Sequence, residues 1–252
     1  MAAWPVFLIN LERDVKRLEA ATAELRRHDQ TWIRVPAVNG RQLPPDRIAR
    51  SYDPRGNAKH AKHPMTAPEI GCYLSHFKAW EKIVESGAPG GVVFEDDFTI
   101  TGDLSAALLG LAADEGRWDM VKLFSLRPDS KLLRPRRLIG DVVIGEPYRI
   151  PTMMLGYALR RQAAERLVAQ TLPFMRPVDE DMKFFWEKGL TITEIRPAPI
   201  ALGNQVSAEQ TVGQSRRSAV QDDPRSALKR AGKGLSYRLN YLFQLHRRRL
   251  LP

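Results

Sequence analysis

An α/β fold on a central, mostly parallel sheet is what this sequence predicts, and three stretches predict it. The chain opens on a short apolar run, Val6-Phe7-Leu8-Ile9, followed after Asn10 by an amphipathic stretch. A second run, Val92-Val93-Phe94, comes after two glycines and stops at three consecutive acids, Glu95-Asp96-Asp97. A third, LTITEI at 190–195, alternates apolar and polar residues. Short β-branched runs bounded by turn residues, with helical patterns between them, mark the strands of an α/β sheet.

The elements follow in order. Val15, Leu18, Thr22 and Leu25 make a helical stripe over 13–27. Strand, tight turn and amphipathic helix is how most nucleotide-binding α/β folds begin. Arg13 and Arg17 lie four apart near the strand's carboxyl end, placed to contact a phosphate or sugar or to form a solvated helix face. Residues 32–35 predict a second strand, closed by the Asn39-Gly40 turn. From 42 to 63 the chain is Pro-rich and polar. Its end, DPRGNAKHAKH, holds nothing apolar larger than alanine and predicts a mobile loop with solvated His60 and His63.

Thr66-Ala67-Pro68-Glu69 is a capping box with proline in the first turn. The helix it opens is expected to run to about Ser86, with Gly87 ending it. Ile70, Leu74, Phe77 and Val84 form its core stripe, with Ser75 and His76 beside it. Adjacent helical residues do not face one another, so Ser75 and His76 are no nucleophile–base pair; His76 is a structural or substrate-contacting residue. Further helices are expected at 104–113, 162–170 and 182–188. Strands are expected at 118–124, 141–144 and 150–155, and a basic loop at 127–137.

Two acidic groups stand out. Glu95, Asp96 and Asp97 at a strand end are costly to bury without a cation or donors to neutralise them. Ligands of open α/β sheets bind beyond the strands' carboxyl ends. If the segment stays extended, Glu95 and Asp97 share one face and Asp96 takes the other. Two such carboxylates suit a hard divalent cation that also grips phosphate oxygens; the alternative is a plain acidic turn. Asp179, Glu180 and Asp181 open the 182–188 helix, where acids favour the helix dipole. A carboxylate there is also suited to take a proton from a sugar hydroxyl.

Composition confines the rest. With 43% hydrophobic and 27% charged residues, 252 residues bury a full core. No apolar run approaches the roughly 20 residues of a membrane span, and Trp4–Ile9 lacks a basic flank, so no signal peptide is expected. The single cysteine, Cys72, excludes an internal disulfide and fits the cytoplasm. Eight of the ten net positive charges fall in 224–252, which has no acid. The body of the chain is therefore no basic nucleic-acid binder. Leu228, Leu235, Leu239, Leu242 and Leu250 fall near one helical face of that tail, with basic residues over the remainder. This pattern predicts an interfacial helix on anionic lipid, ahead of a helix packed on the core and of nucleic-acid binding. The expected division is a catalytic unit at 1–217 and a basic amphipathic tail at 218–252.

VFLINLERDVKR, RVPAVNG, MTAPEIGCYLSHFKAWEKIV and GGVVFEDDFTI, in this order, resemble glycosyltransferase family 25, the family of bacterial lipooligosaccharide hexosyltransferases and collagen galactosyltransferases. TMMLGYALRRQAAERLV and RPVDEDMKFFWEKGLTITEIRP continue the resemblance, which covers roughly 5–217. It implies a GT-A-like nucleotide-sugar-binding sandwich in which carboxylates hold Mn²⁺ or Mg²⁺ against the diphosphate of a UDP-sugar. On the matching positions, Glu95 and Asp97 hold the metal and Asp96 contacts the donor. Asn10, Arg13 and Arg17 lie near the nucleotide, and Ser75 and His76 in the E-x-G-C-x-x-S-H segment. Asp179, ahead of Asp181, is the base of an inverting transfer. The chain departs from the GT-A pattern in one respect: its only histidine beyond 76 is His246, in the tail. The implied acceptor is a lipid-linked oligosaccharide of the lipopolysaccharide type, met at the inner face of the cytoplasmic membrane. Competing readings are a metal-dependent nucleotidyltransferase or phosphohydrolase, and a non-catalytic, membrane-tethered binding module.

Overall fold

Apolar side chains at alternate strand positions divide here between two cores, one on each face of a single sheet. A computed structural model of the chain describes residues 4–61, 63–203 and 236–247. The elements of its first half are β1 (Val6–Asn10), α1 (Val15–Arg27), β2 (Ile33–Pro36), α2 (Pro45–Ser51), α3 (Pro54–His60), α4 (Ala67–Glu85), β3 (Gly90–Glu95), β4 (Phe98–Ile100) and α5 (Leu104–Ala113). The second half contributes β5 (Met120–Lys122), β6 (Leu132–Ile139), β7 (Val142–Pro147), β8 (Gly156–Arg160), α6 (Arg161–Gln170), α7 (Val178–Asp181), β9 (Ile192–Arg196) and β10 (Ile200–Leu202). A 3₁₀ segment, Met182–Lys188, continues α7.

The main sheet runs β2-β1-β3-β8-β5-β9-β7-β6, and β4 pairs with β10 in a small second sheet. Pairing directions leave six of the eight main strands pointing one way, with β8 and β7 reversed. Phe7, Ile9, Val93, Tyr157 and Leu159 pack with α4 and α6 on one face. Val6, Leu8, Val92, Phe94 and Ala158 pack with α1, α5 and the small sheet on the other. Strands buried on both faces have continuous apolar sequences, as β1 and β3 do.

Several expectations change. The loop expected at 42–63 contains two helices. Asp53 caps α3 by accepting from the Arg55 and Gly56 amides, and Pro54 presets its first turn. Buried Asn57 ties it down by donating to the Met175 carbonyl. Anchoring by a residue 118 positions away is invisible to local composition. The basic loop expected at 127–137 is largely β6, an edge strand paired with β7. Register shifts between Leu133 and Arg136 absorb Pro135, which an edge tolerates. No strand forms at 150–155; β8 begins at Gly156. The 190–195 run, expected to be half-buried, is enclosed on both faces, because β5 and β7 flank β9 and Ile192, Thr193, Glu194 and Ile195 are all buried.

The capping box forms as expected: Thr66 N–H donates to Glu69 Oε2 at 2.7 Å. The packed stripe of α4 includes Tyr73, Ala79, Trp80 and Ile83, all fully enclosed. Gly40 and Gly71 sit where the loop after β2 crosses α4, and a Cβ on either would strike backbone of the other segment.

The tail divides its residues between two surroundings. A helix at 236–247 seats Tyr237 and Tyr241 on Phe184, Phe185 and Trp186, and buries Leu245. Its outer side leaves Leu239 61% and Phe243 62% exposed. One side of this helix is thus packed on the core, contrary to a purely interfacial tail. Leu228, Leu235 and Leu250 lie outside the described residues, as does the 217/218 boundary.

Candidate active site

Sheet parity aims the acids. Glu95 follows Val93 onto the face covered by α4, and Asp96, like Asn10 on neighbouring β1, takes the face covered by α1. The strand ends at Glu95, and Asp96-Asp97 make a turn into β4 instead of extending. Asp97 therefore does not simply return to Glu95's face, because the turn brings it to Arg17. Gly203 N–H donates to the Asp97 carbonyl at 2.7 Å, fastening the turn from β10.

Asp96 is held by Asn10, whose Nδ2 donates to Oδ2 at 2.5 Å, and by the Arg17 guanidinium on Oδ1. Arg34 donates to Asn10 Oδ1 at 2.8 Å, which settles the orientation of that amide. Arg17 also meets Asp97 Oδ2 at 3.3 Å. Asn10, Arg17, Asp96 and Asp97 thus form one cluster at the carboxyl ends of β1 and β3. Arg13 stands apart, 54% exposed and paired loosely with Asp14.

On the other face, His76 Nε2 lies 3.0 Å from Glu95 Oε1, and Cys72 Sγ lies 3.9 Å from the same oxygen. Ser75 serves structure: it accepts from the Val38 amide at 2.8 Å and donates to the Gly71 carbonyl. It fastens the 37–40 loop to α4 where the two glycines let the backbones meet.

The carboxylates differ in charge state. Burial raises Glu95's pKa, but the His76 hydrogen bond, with the charges of Lys122 and Arg17, outweighs it and holds the carboxyl below its ordinary value. Burial, with Glu95 and Asp96 beside it, pushes Asp97 up to about 7 despite Arg17. Burial also raises Asp96, against Arg17 and Asn10. Asp97 Oδ1 is buried without a hydrogen-bond partner, and among the described residues Glu95 Oε2 has none. Each carboxylate therefore has one oxygen occupied, Oε1 by His76 and Oδ2 by Arg17, and one left over. Two hard oxygens with a deficit of positive charge fit a divalent cation.

Sequence reasoning missed three partners of this site. Tyr157, Lys122 and Glu194 stand side by side in register across β8, β5 and β9, on Glu95's face. Lys122 is 1% exposed; it donates to the Met153 carbonyl and lies 3.2 Å from Met154 Sδ. Burial lowers it to about 8, against the pull of Asp179, Glu95 and Glu194. Burial raises Glu194, which pairs with Arg196 through Oε1 and leaves Oε2 buried and unpartnered. A signal was present in each strand: Lys122 is a charge inside the apolar run at 120–124, and Glu194 is the acid at which the alternation of 190–195 breaks.

Asp179 and Asp181 part company. Half-buried Asp179 lies close enough for its charge to act on Cys72 and Lys122. Asp181 is enclosed: Tyr73 Oη donates to Oδ2 at 2.6 Å, Arg176 Nε to Oδ1 at 3.0 Å, and Lys188 Nζ lies 3.2 Å away. Neither is an N-cap; that position falls to Pro177.

A model described as glycosyltransferase family 25 (LPS biosynthesis protein) matches residues 3–182. The human protein named inactive glycosyltransferase 25 family member 3 is 31% identical over 202 residues, covering 73% of this chain and 32% of its own. Mouse procollagen galactosyltransferase 2 is 27% identical over 193 residues, covering 73% of this chain and 30% of its own. This chain spans about a third of the length of these curated relatives. Among solved structures, a Drosophila β1,4-galactosyltransferase 7 variant with manganese, UDP-Gal and xylobiose aligns at a TM-score of 0.38 and 12% identity, over 90% of this chain and 79% of that one. The matched segment runs from β1 through the acidic cluster to the helix bearing Asp179, and on that match the chain belongs to glycosyltransferase family 25.

Proposed function

We propose that the chain is a glycosyltransferase that moves a hexose, galactose or glucose, from a UDP-sugar to a lipid-linked oligosaccharide of the lipopolysaccharide type. The observation that carries this reading is the pair of half-buried carboxylates, Glu95 and Asp97, each with one oxygen held by a neighbour and one without a hydrogen-bond partner among the described residues. In this GT-A-like arrangement Glu95 and Asp97 would hold Mn²⁺ or Mg²⁺, which when bound would supply charge neutralisation for the departing nucleoside diphosphate. Asn10 and Arg17 keep Asp96 oriented toward the nucleoside side of the donor. Asp179 takes the proton from the acceptor hydroxyl as the new bond forms, on the side opposite the leaving group, as inversion requires. Asp181 is excluded from that role by its three donors.

Metal-dependent nucleotidyl transfer or phosphate hydrolysis would use the same acids. Binding without turnover is favoured by one observation, the human relative named as inactive. A single screen separates all three. UDP-galactose, UDP-glucose, UDP-N-acetylhexosamines, and GDP- and CMP-sugars are incubated with the protein and Mn²⁺, Mg²⁺ or EDTA, and released nucleotide and sugar are quantified. Selective turnover of one UDP-sugar, abolished by EDTA, is expected. Donor binding without turnover, with or without added glycan acceptor, would leave a binding module. Release of phosphate or transfer of nucleotide would move the protein to the other enzyme class.

In this reading the catalytic unit is 1–217 and 218–252 carries it to the inner face of the cytoplasmic membrane. The exposed Leu239, Leu242 and Phe243 of the 236–247 helix support it, with Arg238 and Arg247 on the same helix. No described helix is long and apolar enough to cross a membrane. Replacing Leu239 and Phe243 by Ser is expected to reduce sedimentation with anionic vesicles at least several-fold, because apolar burial and basic attraction act together at an interface. Transfer to a soluble acceptor is unaffected. Unchanged vesicle binding would remove the membrane role.

A further inference from the structure

We propose that Trp80, Tyr157 and His76 form a positioning chain that presents Glu95 to the cation through one oxygen. The inference rests on the cation reading of Glu95 and Asp97 above. Trp80 Nε1 lies 2.9 Å from Tyr157 Oη, Tyr157 Oη lies 3.0 Å from His76 Nδ1, and His76 Nε2 lies 3.0 Å from Glu95 Oε1. Trp80, Tyr157 and His76 are each at most 1% exposed, so these groups satisfy one another without bulk water.

Their donor capacities set the direction of the chain. An indole nitrogen only donates, so Tyr157 Oη accepts from Trp80. The hydroxyl proton then has His76 Nδ1 as its acceptor. Nε2 carries the ring proton and donates to Glu95 Oε1. The reverse tautomer would set a lone pair against the carboxylate and leave two N–H or O–H donors competing at one contact. Oε1 is thereby occupied, and Oε2 is the oxygen offered to an ion.

The same geometry decides which ion the site prefers. Ligand atoms of Cys72, His76 and Glu95 all lie within 4.8 Å of one another, and a thiolate, imidazole and carboxylate trio would suit zinc. Here the imidazole proton is aimed at Glu95. Cys72 Sγ lies 3.9 Å from that same Glu95 Oε1, on the oxygen His76 already occupies. His76 and Cys72 therefore support an oxygen ligand from behind, the arrangement by which outer contacts orient a metal ligand.

The test is Mn²⁺ binding to the full chain, read from loss of the free aqueous Mn²⁺ EPR signal, with thermal melting to establish folding. Tyr157→Phe keeps the ring in the core and releases the imidazole; Mn²⁺ affinity is expected to fall about tenfold or more. His76→Leu falls at least as far. His76→Gln, whose amide N–H can stand in for Nε2–H, recovers most of the affinity, which a merely space-filling role for the ring would not produce. Should His76→Leu fail to fold, Tyr157→Phe carries the test. Wild-type Mn²⁺ affinity in folded Tyr157→Phe would overturn the positioning chain while leaving the cation reading intact. Absence of Mn²⁺ binding by the wild type would remove both. Tight Zn²⁺ binding lost in Cys72→Ser would show that the trio acts as a ligand set and overturn the proposal from the other side.

Discussion

Asp97→Asn is expected to lower sugar transfer by a factor of about 10²–10³ or more, the scale seen when a charge-stabilising group is removed from a reacting centre. The same substitution is expected to stabilise the metal-free fold. Burial and neighbouring Glu95 push the Asp97 carboxyl up to about 7, against about 3.9 for an unfolded aspartate. Between those values the folded chain binds more protons than the unfolded one, so stability falls as pH rises. The penalty is absent below about pH 4 and complete above about pH 7, amounting to at most about 4 kcal/mol at 1.36 kcal/mol per unit. An amide carries no charge to bury, so the variant's melting temperature overtakes the wild type's as pH climbs through this window. Melts at pH 5 and pH 8 measure the gap, and Mn²⁺ should close it by stabilising only the wild type. A variant that melts below the wild type at pH 8 would make Asp97 a structural carboxylate. Undiminished transfer would remove it from the metal site.

Asp181→Asn is expected to have the largest effect on folding. Its carboxylate faces Arg176, a guanidinium 3% exposed that also lies 3.8 Å over the Phe184 ring and pairs with Glu187. Removing one partner of a buried ion pair costs about 3–5 kcal/mol, because the other charge stays buried with less to balance it. Asp179→Asn shows the opposite profile: stability within about 0.5 kcal/mol and kcat lower by about 10²–10⁴, with little change in donor KM. Denaturant melts and steady-state kinetics on both variants test the assignment. A stable Asp181→Asn protein without turnover would exchange the two roles.

Acidic neighbours separated by a single residue thus diverge through what surrounds them, and spacing carried no sign of this. The helical turn at 178–181 aims one toward Cys72 and Lys122 and the other into a cluster with Tyr73, 108 residues earlier. Asp53–His60 shows the same limit in the fold, since its helix depends on Asn57 reaching the Met175 carbonyl. Lys122 was visible as a charge inside the apolar run at 120–124 and Glu194 as the acid that breaks the 190–195 alternation, yet their meeting required strands 72 residues apart to lie in register.

Signals that complete themselves within a few residues were legible from the sequence alone. They include the first strand and helix, the Thr66–Glu69 capping box, the 104–113 helix, the Gly90–Glu95 strand with acids at its carboxyl end, and the concentration of charge after residue 224. Each is set by backbone preference, capping or alternation, which act over one or two turns. Tertiary structure alone decided which oxygen of each carboxylate is occupied, that Ser75 fastens a loop while His76 holds Glu95, and that one side of the tail helix is buried. Those outcomes depend on donors and acceptors brought together from distant positions, where hydrogen bonding and desolvation, not local propensity, set the free energy.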